Sequence, residues 1–519
     1  MWAREMVKNG AVDELKKCFG ARMEFGTAGL RAAMGPGVSR MNDLTIIQTT
    51  QGFCRYLEQC FADLKERGVV IGFDAREHTA SGGSSKRFAS LAAAVLISRG
   101  VPAYLFSAFT PTPYVFSVIY PLLKDPYQDI HREYLQSIQQ HCFHREVNKC
   151  SEVKIVHTSV HGVGHVFVQA AFKAFDLRPP YAVKEQEDPD PEFPTVEYPN
   201  PEEGAGVLNL SFALADREGA TVVFANDPDA DRLAVAEKQP SGEWRVFSGN
   251  ELGALLGWWS FQCWKQQQGE NKASVKDVYM LASTVSSKIL RAIGLKEGFH
   301  FEETLTGFKW MGNRAKQLLD QGKTVLFAFE EAIGYMCSPA VLDKDGVSAA
   351  AIAGELVSYL ATKNTSLSQQ LKAVYDEYGY HLTKNSYFIC HDQNTIKQLF
   401  ERLRNYEGEE SYPKECQGFA ITAVRDLTTG YDSNQPDSKA ILPTSKSSQM
   451  ITFTFANGGV ATMRTSGTEP KIKYYTELCA APGNSDLNQL NAELNNLVDA
   501  IVENFFQPKK NNLTPRPDS

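Results

Sequence analysis

The chain has 519 residues, of which 43% are hydrophobic and 22% charged, and it carries a formal net charge of -8. A single core does not grow to that length, so three or four domains are predicted, and the composition excludes a disordered chain. The acidic balance, without a long basic run, argues against nucleic acid as the main partner.

The ten cysteines are scattered, with no C-x-x-C pair, and read as reduced thiols. Arg4, Glu5, Lys8, Asp13, Glu14, Lys16 and Lys17 argue against a signal peptide in the first twenty residues. Val101 to Leu123 is uncharged and long enough to cross a bilayer, yet it holds Pro102, Pro111, Pro113 and Pro121. A lipid-exposed helix does not tolerate them. A cytoplasmic protein with no membrane segment is expected.

In chain order, Met1 to Cys18 reads as a helix leading into Phe25-Gly26-Thr27-Ala28-Gly29-Leu30-Arg31, a loop whose glycines suit close backbone approach to a ligand. Asp43 to Leu64 is an amphipathic helix capped by Asn42 or Asp43. Val69 to Phe73, Ser84 to Arg99 and Ala103 to Phe106 then read strand, helix, strand, a crossover that opens a parallel sheet. After Thr110-Pro111-Thr112-Pro113 the pattern breaks off, and by Gln128 the chain is in a polar helix that runs to Cys142.

A second unit starts with the strand Val153 to His157, a loop holding His161 and His165, and the helix Val166 to Phe175. The three histidines at four-residue spacing suggest zinc only weakly, because no Glu follows the first as in a metalloprotease helix. A structural or phosphate-facing loop is the stronger reading. Two apolar strands, Thr221 to Ala225 and Leu233 to Ala236, then bracket Asn226-Asp227-Pro228-Asp229-Ala230-Asp231-Arg232. Three alternating carboxylates on a tight turn call for a divalent cation, and oxygen-only ligands favour magnesium or calcium over zinc. An EF-hand is excluded, since Arg232 stands where its glycine belongs and Lys238 where its glutamate belongs. A solvated acidic turn is the bland alternative. The adjacent Arg232 tells against it, because a metal beside a guanidinium suits a phosphoryl group. Strand followed by D-x-D also resembles the haloacid-dehalogenase pattern, in which an aspartate of this loop is a phosphatase nucleophile; that pattern wants Thr where Asp231 stands.

The helix Glu251 to Trp264 closes the second unit, and its tryptophans read as core. A third unit follows a polar linker: the strand Val278 to Ala282, the helix Ser286 to Ile293, a loop over Glu302 to Lys309, and the strand Val325 to Phe329 ending at Glu330-Glu331. Asp343-Lys344-Asp345-Gly346 opens a helix near Val347. Second and third units both start strand, loop, helix, a weak internal repeat. From about Asn385 strands and helices mix, with a strand at Ser448 to Ala456 and then Arg464-Thr465-Ser466-Gly467-Thr468-Glu469-Pro470-Lys471, a loop with good phosphate chemistry. The Pro-, Lys- and Asn-rich tail from Gln507 is expected to be disordered.

Taken together and in this order, the loops Phe25 to Arg31, Asp227 to Arg232, Thr306 to Lys309, Phe329 to Gly334, Asp343 to Gly346 and Arg464 to Pro470 resemble the α-D-phosphohexomutase superfamily over nearly the full length. The resemblance implies an α/β fold of three related mixed α/β domains, the first truncated, plus a C-terminal α+β domain. The boundaries would fall near residues 1–148, 149–272, 273–384 and 385–506, with 507–519 as the tail. It implies a mutase that interconverts the 1-phosphate and the 5- or 6-phosphate of ribose, deoxyribose or glucose, with magnesium as cofactor, glucose 1,6-bisphosphate as activator and sugar phosphates as the only partners of a monomer. On matching positions Asp227, Asp229 and Asp231 would hold the metal, and Arg31 and Arg232 would line the reacting phosphoryl group, with Lys344 aiding proton transfer or phosphate contact. Thr306, Gly307, Lys309, Glu330 and Glu331 would meet the sugar, and Arg464, Ser466, Gly467 and Thr468 the phosphate that is not transferred. Ala332 replaces a serine of most relatives, which fits loose hexose recognition and a pentose preference.

The family's nucleophile is a phosphoserine in a Thr-Ala-Ser-His-Asn-Pro loop, and that loop is absent from this sequence. The gap implied by the resemblance lies between about Tyr114 and Tyr120, where the strand pattern also breaks off. A chain that binds sugar phosphate without turning it over is therefore the alternative to a working mutase.

Overall fold

The computed structural model describes residues 2–26, 29–116, 125–203, 205–268, 274–409, 411–446, 448–466 and 470–516. Four groups of elements follow one another. The first opens with two helices, Trp2–Lys8 and Val12–Phe19, rather than one, because Gly10 at φ +64 turns the chain between them. The helix Asp43–Cys60 carries the predicted cap: Asn42 accepts from the Thr45 amide while Thr45 Oγ1 accepts from the Asn42 amide. It packs beside the helix Ser85–Ser98, whose cap is Ser84. The strands Val69–Ile71 and Ala103–Leu105 pair in parallel, and among the described residues that sheet has no third strand. Part of the break in the pattern, residues 117–124, lies outside the described residues.

Despite its two-stranded sheet this first group is anchored. Tyr114 is fully buried, with its ring 4.6 Å from Tyr134 and 4.8 Å from Phe167 of the second group. Tyr134, on the helix Tyr127–Gln139, donates its hydroxyl to both carboxylate oxygens of Asp345 at 2.8 and 2.9 Å. Asp345 caps the almost wholly buried helix Gly346–Ala361. Tyr134→Phe should therefore cost about 1–3 kcal/mol, because Asp345 loses a buried donor; urea denaturation reads the loss, and an unchanged midpoint would show that the bond is idle.

The second and third groups have one plan. In the second, Ile155–Thr158 runs parallel to Val222–Asn226, which turns back antiparallel into Leu233–Lys238. In the third, Val278–Ser283 runs parallel to Thr324–Glu330, which turns back into Gly334–Met336. The turn of the first hairpin is the aspartate loop, and that of the second carries Glu331, Ala332 and Ile333. Both use a residue in the left-handed region, Ala230 at φ +55 and Ile333 at φ +52. The two turns touch: the Leu233 amide donates to the Ile333 carbonyl at 3.1 Å, and Arg232 forms a lone bridge with Gly334. The weak sequence echo is thus a structural repeat, and it sets two candidate loops side by side.

Two expectations in the third group are corrected. Glu302 to Thr304 is not loop but part of the strand His300–Thr304, parallel to Val278–Ser283. The helix predicted from Ser286 begins at Ile289, because Ser286 and Ser287 spend their hydroxyls on Glu331 and Glu477. The misleading charge in that strand is buried at the junction with the C-terminal group. Glu303 is held by Lys288 Nζ at 3.0 Å and by Arg425 Nη2 at 2.9 Å, which against burial bring its pKa down to about 2. Stability from such a lowered carboxyl is complete above the ordinary value of 4.5 and is lost as pH falls through about 2. Glu303→Gln should lose about 3 kcal/mol at pH 7, and its deficit against the native chain should shrink as pH falls from 5 towards 2; a pH-independent deficit in denaturation curves would exclude the ion pair as its source.

The C-terminal group is a largely antiparallel sheet in the order Glu415–Cys416, Phe419–Asp426, Met450–Phe455, Gly459–Thr465, Lys471–Cys479, His381–Ile389, with Leu487–Ile501 packed on it. The tail is not disordered as expected over its described part. Thr514–Pro515 adds to the edge strand His381–Ile389, and the Arg516 amide donates to the Tyr387 carbonyl. An exposed strand edge offers unpaired carbonyls and amides, and this segment takes them up. No helix among the described residues is long and apolar enough to cross a membrane. All ten cysteines are free.

Candidate active site

The turn after Val222–Asn226 converges three carboxylates: one oxygen from each of Asp227, Asp229 and Asp231 lies within 4.8 Å of the others. Asp227 is buried, but Arg232 holds it twice, with the backbone amide on Oδ1 at 3.0 Å and Nε on Oδ2 at 2.7 Å. Burial opposes its charge, yet the guanidinium outweighs burial and keeps its pKa below the ordinary range. Asp229 has no bonded cation among the described residues, and burial, then Asp227 and Asp231, push its pKa well up against Arg76 and Thr112. Asp231 is raised to about 6 by burial and Asp227, even with Lys344 Nζ at 3.0 Å. A cluster in which two of three carboxylates resist ionising is a site short of positive charge, and its all-oxygen donor set fits a hard divalent cation.

Other groups gather around the triad. Arg232 reaches Asn200 Oδ1 through Nη1 at 2.9 Å. Lys344 lies between Asp231 and Asp343, 3.4 Å from the latter, over the ring of Phe308. Against burial, these acids raise its pKa. Arg76 is paired with Asp74 and lies near Asp229 and Asp227, and these acids raise its pKa against burial. Thr112 donates its hydroxyl to Asp229 Oδ2 at 2.7 Å and its amide to the Asp229 carbonyl at 3.0 Å.

On the neighbouring hairpin, Glu330 accepts from the Gly307 amide, where Gly307 at φ +99 begins the helix Phe308–Asp320. Burial and the adjacent Glu331 raise its pKa to about 7. Lys344 and Arg464 both act on Glu330, so this carboxyl lies between the metal-loop side and the C-terminal sheet. Arg464 leans on Tyr475, with Nη2 3.2 Å from the hydroxyl and the guanidinium carbon 5.6 Å from the ring centre.

The structure thus brings together Asp227, Asp229, Asp231, Arg232, Lys344, Gly307, Glu330 and Arg464. Glu331 lies beside them, acting on both Glu330 and Arg464, with one carboxylate oxygen accepting from Ser283 and Ser286 at 3.2 and 3.1 Å. Lys309 is exposed on a helix beside Trp310, and Arg31 is exposed with no hydrogen bond or ion pair among the described residues. Thr306 is half-buried one residue before Gly307, and Ser466 donates its amide to the Lys471 carbonyl. Gly467 and Thr468, with Thr27 and Ala28, lie outside the described residues. The three histidines do not converge: His157 pairs with Asn226 at 2.8 Å, His161 with Thr195 at 2.7 Å, and His165 faces Glu187. Sequence reasoning missed Asp74, Arg76, Thr112, Asn200 and Tyr475. Asp74-Ala75-Arg76 at a strand end was a findable signal, a charged pair where an α/β sheet presents its ligands.

Residues 22–122, 132–242 and 248–378 match in turn domains I, II and III of the family described as phosphoglucomutase/phosphomannomutase. The chain is 66% identical to a phosphopentomutase of Homo sapiens over 578 residues, covering 99% of this chain and 94% of that one. It belongs to the phosphoglucomutase/phosphomannomutase family. This is a family of phosphosugar mutases within the α-D-phosphohexomutase superfamily, and with it come the three α/β domains and the sheet-rich C-terminal unit. A glucose 1,6-bisphosphate synthase of Homo sapiens is 53% identical, covering 98% of this chain and 92% of that one. A solved structure of a putative phosphomannomutase from Thermus thermophilus has a TM-score of 0.61 at 18% identity, covering 92% of this chain and 99% of its own; it shows the fold alone. The alignment to the human phosphopentomutase runs 578 residues and this family member has 519, so at least 59 aligned positions (578 less 519) have no counterpart here.

Proposed function

We propose that this chain is a phosphosugar mutase that interconverts the 1-phosphate and 5- or 6-phosphate of ribose, deoxyribose or glucose. The observation that carries this reading is the contact of two equivalent hairpin turns, one with the carboxylate triad and one with Glu330, bridged by Lys344. Asp227, Asp229 and Asp231 would hold magnesium, which supplies positive charge against the transferring phosphoryl group. Arg232 and Arg31 would face that group. Glu330 and the Thr306-Gly307 turn would take the sugar hydroxyls, with Lys309 and Glu331 at the edge of that site. Arg464, Ser466, Gly467 and Thr468 would hold the other phosphate. Ala332 in place of a hydroxyl-bearing residue supports a pentose over a hexose. Glucose 1,6-bisphosphate would prime the cycle, in keeping with the relative named for making it. A cytoplasmic monomer acting on free metabolites fits the reading.

Calorimetry tests it: the magnesium-loaded chain should bind ribose 1-phosphate more tightly than glucose 1-phosphate. Binding of neither sugar phosphate would sink the assignment. Binding without product would contradict turnover by this chain while keeping the site.

A further inference from the structure

We propose that the cavity between the third group and the C-terminal sheet binds a small phosphate monoester that also carries hydroxyls, at a site separate from the aspartate loop. The cavity measures about 260 Å³. That is room for roughly nine waters at about 30 Å³ each, just short of the ~300 Å³ at which pockets for drug-sized ligands begin. It suits a triose-sized phosphate and is too small for a nucleotide. One wall comes from the third group, with Lys288, Arg291 on the helix Ile289–Glu297, and Glu303 on the strand His300–Thr304. The other is the C-terminal sheet, where Arg425, Thr452, Thr454 and Val460 lie on three neighbouring strands. Val460 and Arg464 share the strand Gly459–Thr465. Their separation along it is about 13 Å, which sets the cavity apart from the arginine of the candidate active site.

The charges of the cavity are unevenly spent. Lys288, Arg291 and Arg425 face only two carboxylates, Glu303 and Asp432. Lys288 places Nζ on Glu303 at 3.0 Å and on the Thr284 and Ser286 carbonyls at 3.0 Å, so it adds charge but no free donor. Arg425 puts Nη2 on Glu303 and Thr284; its Nη1 has no hydrogen-bond partner among the described residues, and neither has the buried Nε. Arg291 is exposed, with no hydrogen bond or ion pair among the described residues. Two guanidiniums with unspent donors on one cavity offer the fork chemistry that phosphate oxygens take. The rest of the lining calls for hydroxyls. Asp432 accepts at one oxygen from the Asn434 amide at 3.0 Å and is paired with no cation among the described residues. Thr452 bonds Thr462 at 2.8 Å, while the Thr454 hydroxyl has no partner among the described residues. A bare phosphate would set its charge against Asp432, whereas a hydroxylated ester puts donors there.

Calorimetry with glycerol 3-phosphate tests this in the full chain carrying Arg464→Ala, which has lost the phosphate-binding arginine of the candidate active site. One equivalent should still bind, and more tightly than inorganic phosphate. Adding Arg291→Ser should weaken it about tenfold, the loss of one charge-assisted hydrogen bond, and Thr454→Val by a smaller factor. The same Arg291→Ser loss should appear for one equivalent in the native background. Neither side chain holds a partner in the fold, so without ligand these variants should melt as their parent chains do. The ligand touches both groups, so glycerol 3-phosphate should raise the melting temperature of the parents and raise it less after Arg291→Ser. No binding, binding that Arg291→Ser leaves unchanged, or inorganic phosphate bound as tightly as the ester overturns the proposal. Each of these leaves the phosphosugar reading standing, since its test uses ribose 1-phosphate on the magnesium-loaded chain.

Discussion

Asp227→Ala should abolish magnesium binding and also destabilise the fold by about 3 kcal/mol, because it strips a buried guanidinium of its main counter-charge. Arg232 spends its backbone amide and Nε on Asp227, with Asp231 only at 3.8 Å as a second anion. Asp229→Asn separates the two effects. Burial and two neighbouring carboxylates already oppose the charge of Asp229, so its neutral amide should leave the metal-free stability unchanged or higher. The amide oxygen can still accept from Thr112. Magnesium affinity should fall in both variants, read by calorimetry, and stability should fall only in the first, read by denaturation. Equal losses of stability would mean that the triad is a structural cluster rather than a metal site. The same contrast disposes of a haloacid-dehalogenase reading, in which Asp227 would be a free nucleophile; here both its oxygens are bonded to Arg232.

Arg464→Ala should weaken sugar-phosphate binding by about 3–4 kcal/mol, on the order of 10²- to 10³-fold, as removing one partner of a buried charge-assisted pair does. Arg464 is pre-positioned by Tyr475 through both its hydroxyl and its ring, so little ordering is left to do on binding. Its loss should leave magnesium affinity untouched, since the triad belongs to another group of the fold. Tyr475→Phe keeps the ring and removes the hydroxyl, and should cost a small part of the same effect. An Arg464→Ala chain that binds ribose 1-phosphate as tightly as the native one would remove the C-terminal loop from the site.

What could be read from the sequence followed from locality. The aspartate loop was legible because its three carboxylates, its arginine and its bracketing strands are consecutive, so one turn sets their geometry. Arg76 and Thr112 were not, because they reach the triad from a strand end and a Pro-flanked turn more than a hundred residues earlier. The strand holding Glu302 and Glu303 was read as loop on the strength of its charge, and that charge is spent on Arg314 near the surface and on Lys288 and Arg425 inside the fold. The tail was read as disordered from composition, which does not reveal an open strand edge able to pair with it. The echo in sequence was only strand, loop, helix at the start of each unit; the paired hairpins did not show, because backbone plan, not side-chain identity, is what the two units share.

Turnover of a phosphosugar at the triad is a claim that phosphorus NMR can read in one experiment. With magnesium and a catalytic amount of glucose 1,6-bisphosphate, the chain should convert ribose 1-phosphate into ribose 5-phosphate, and the Asp229→Asn variant should not. Conversion no faster than in the protein-free control would contradict the claim.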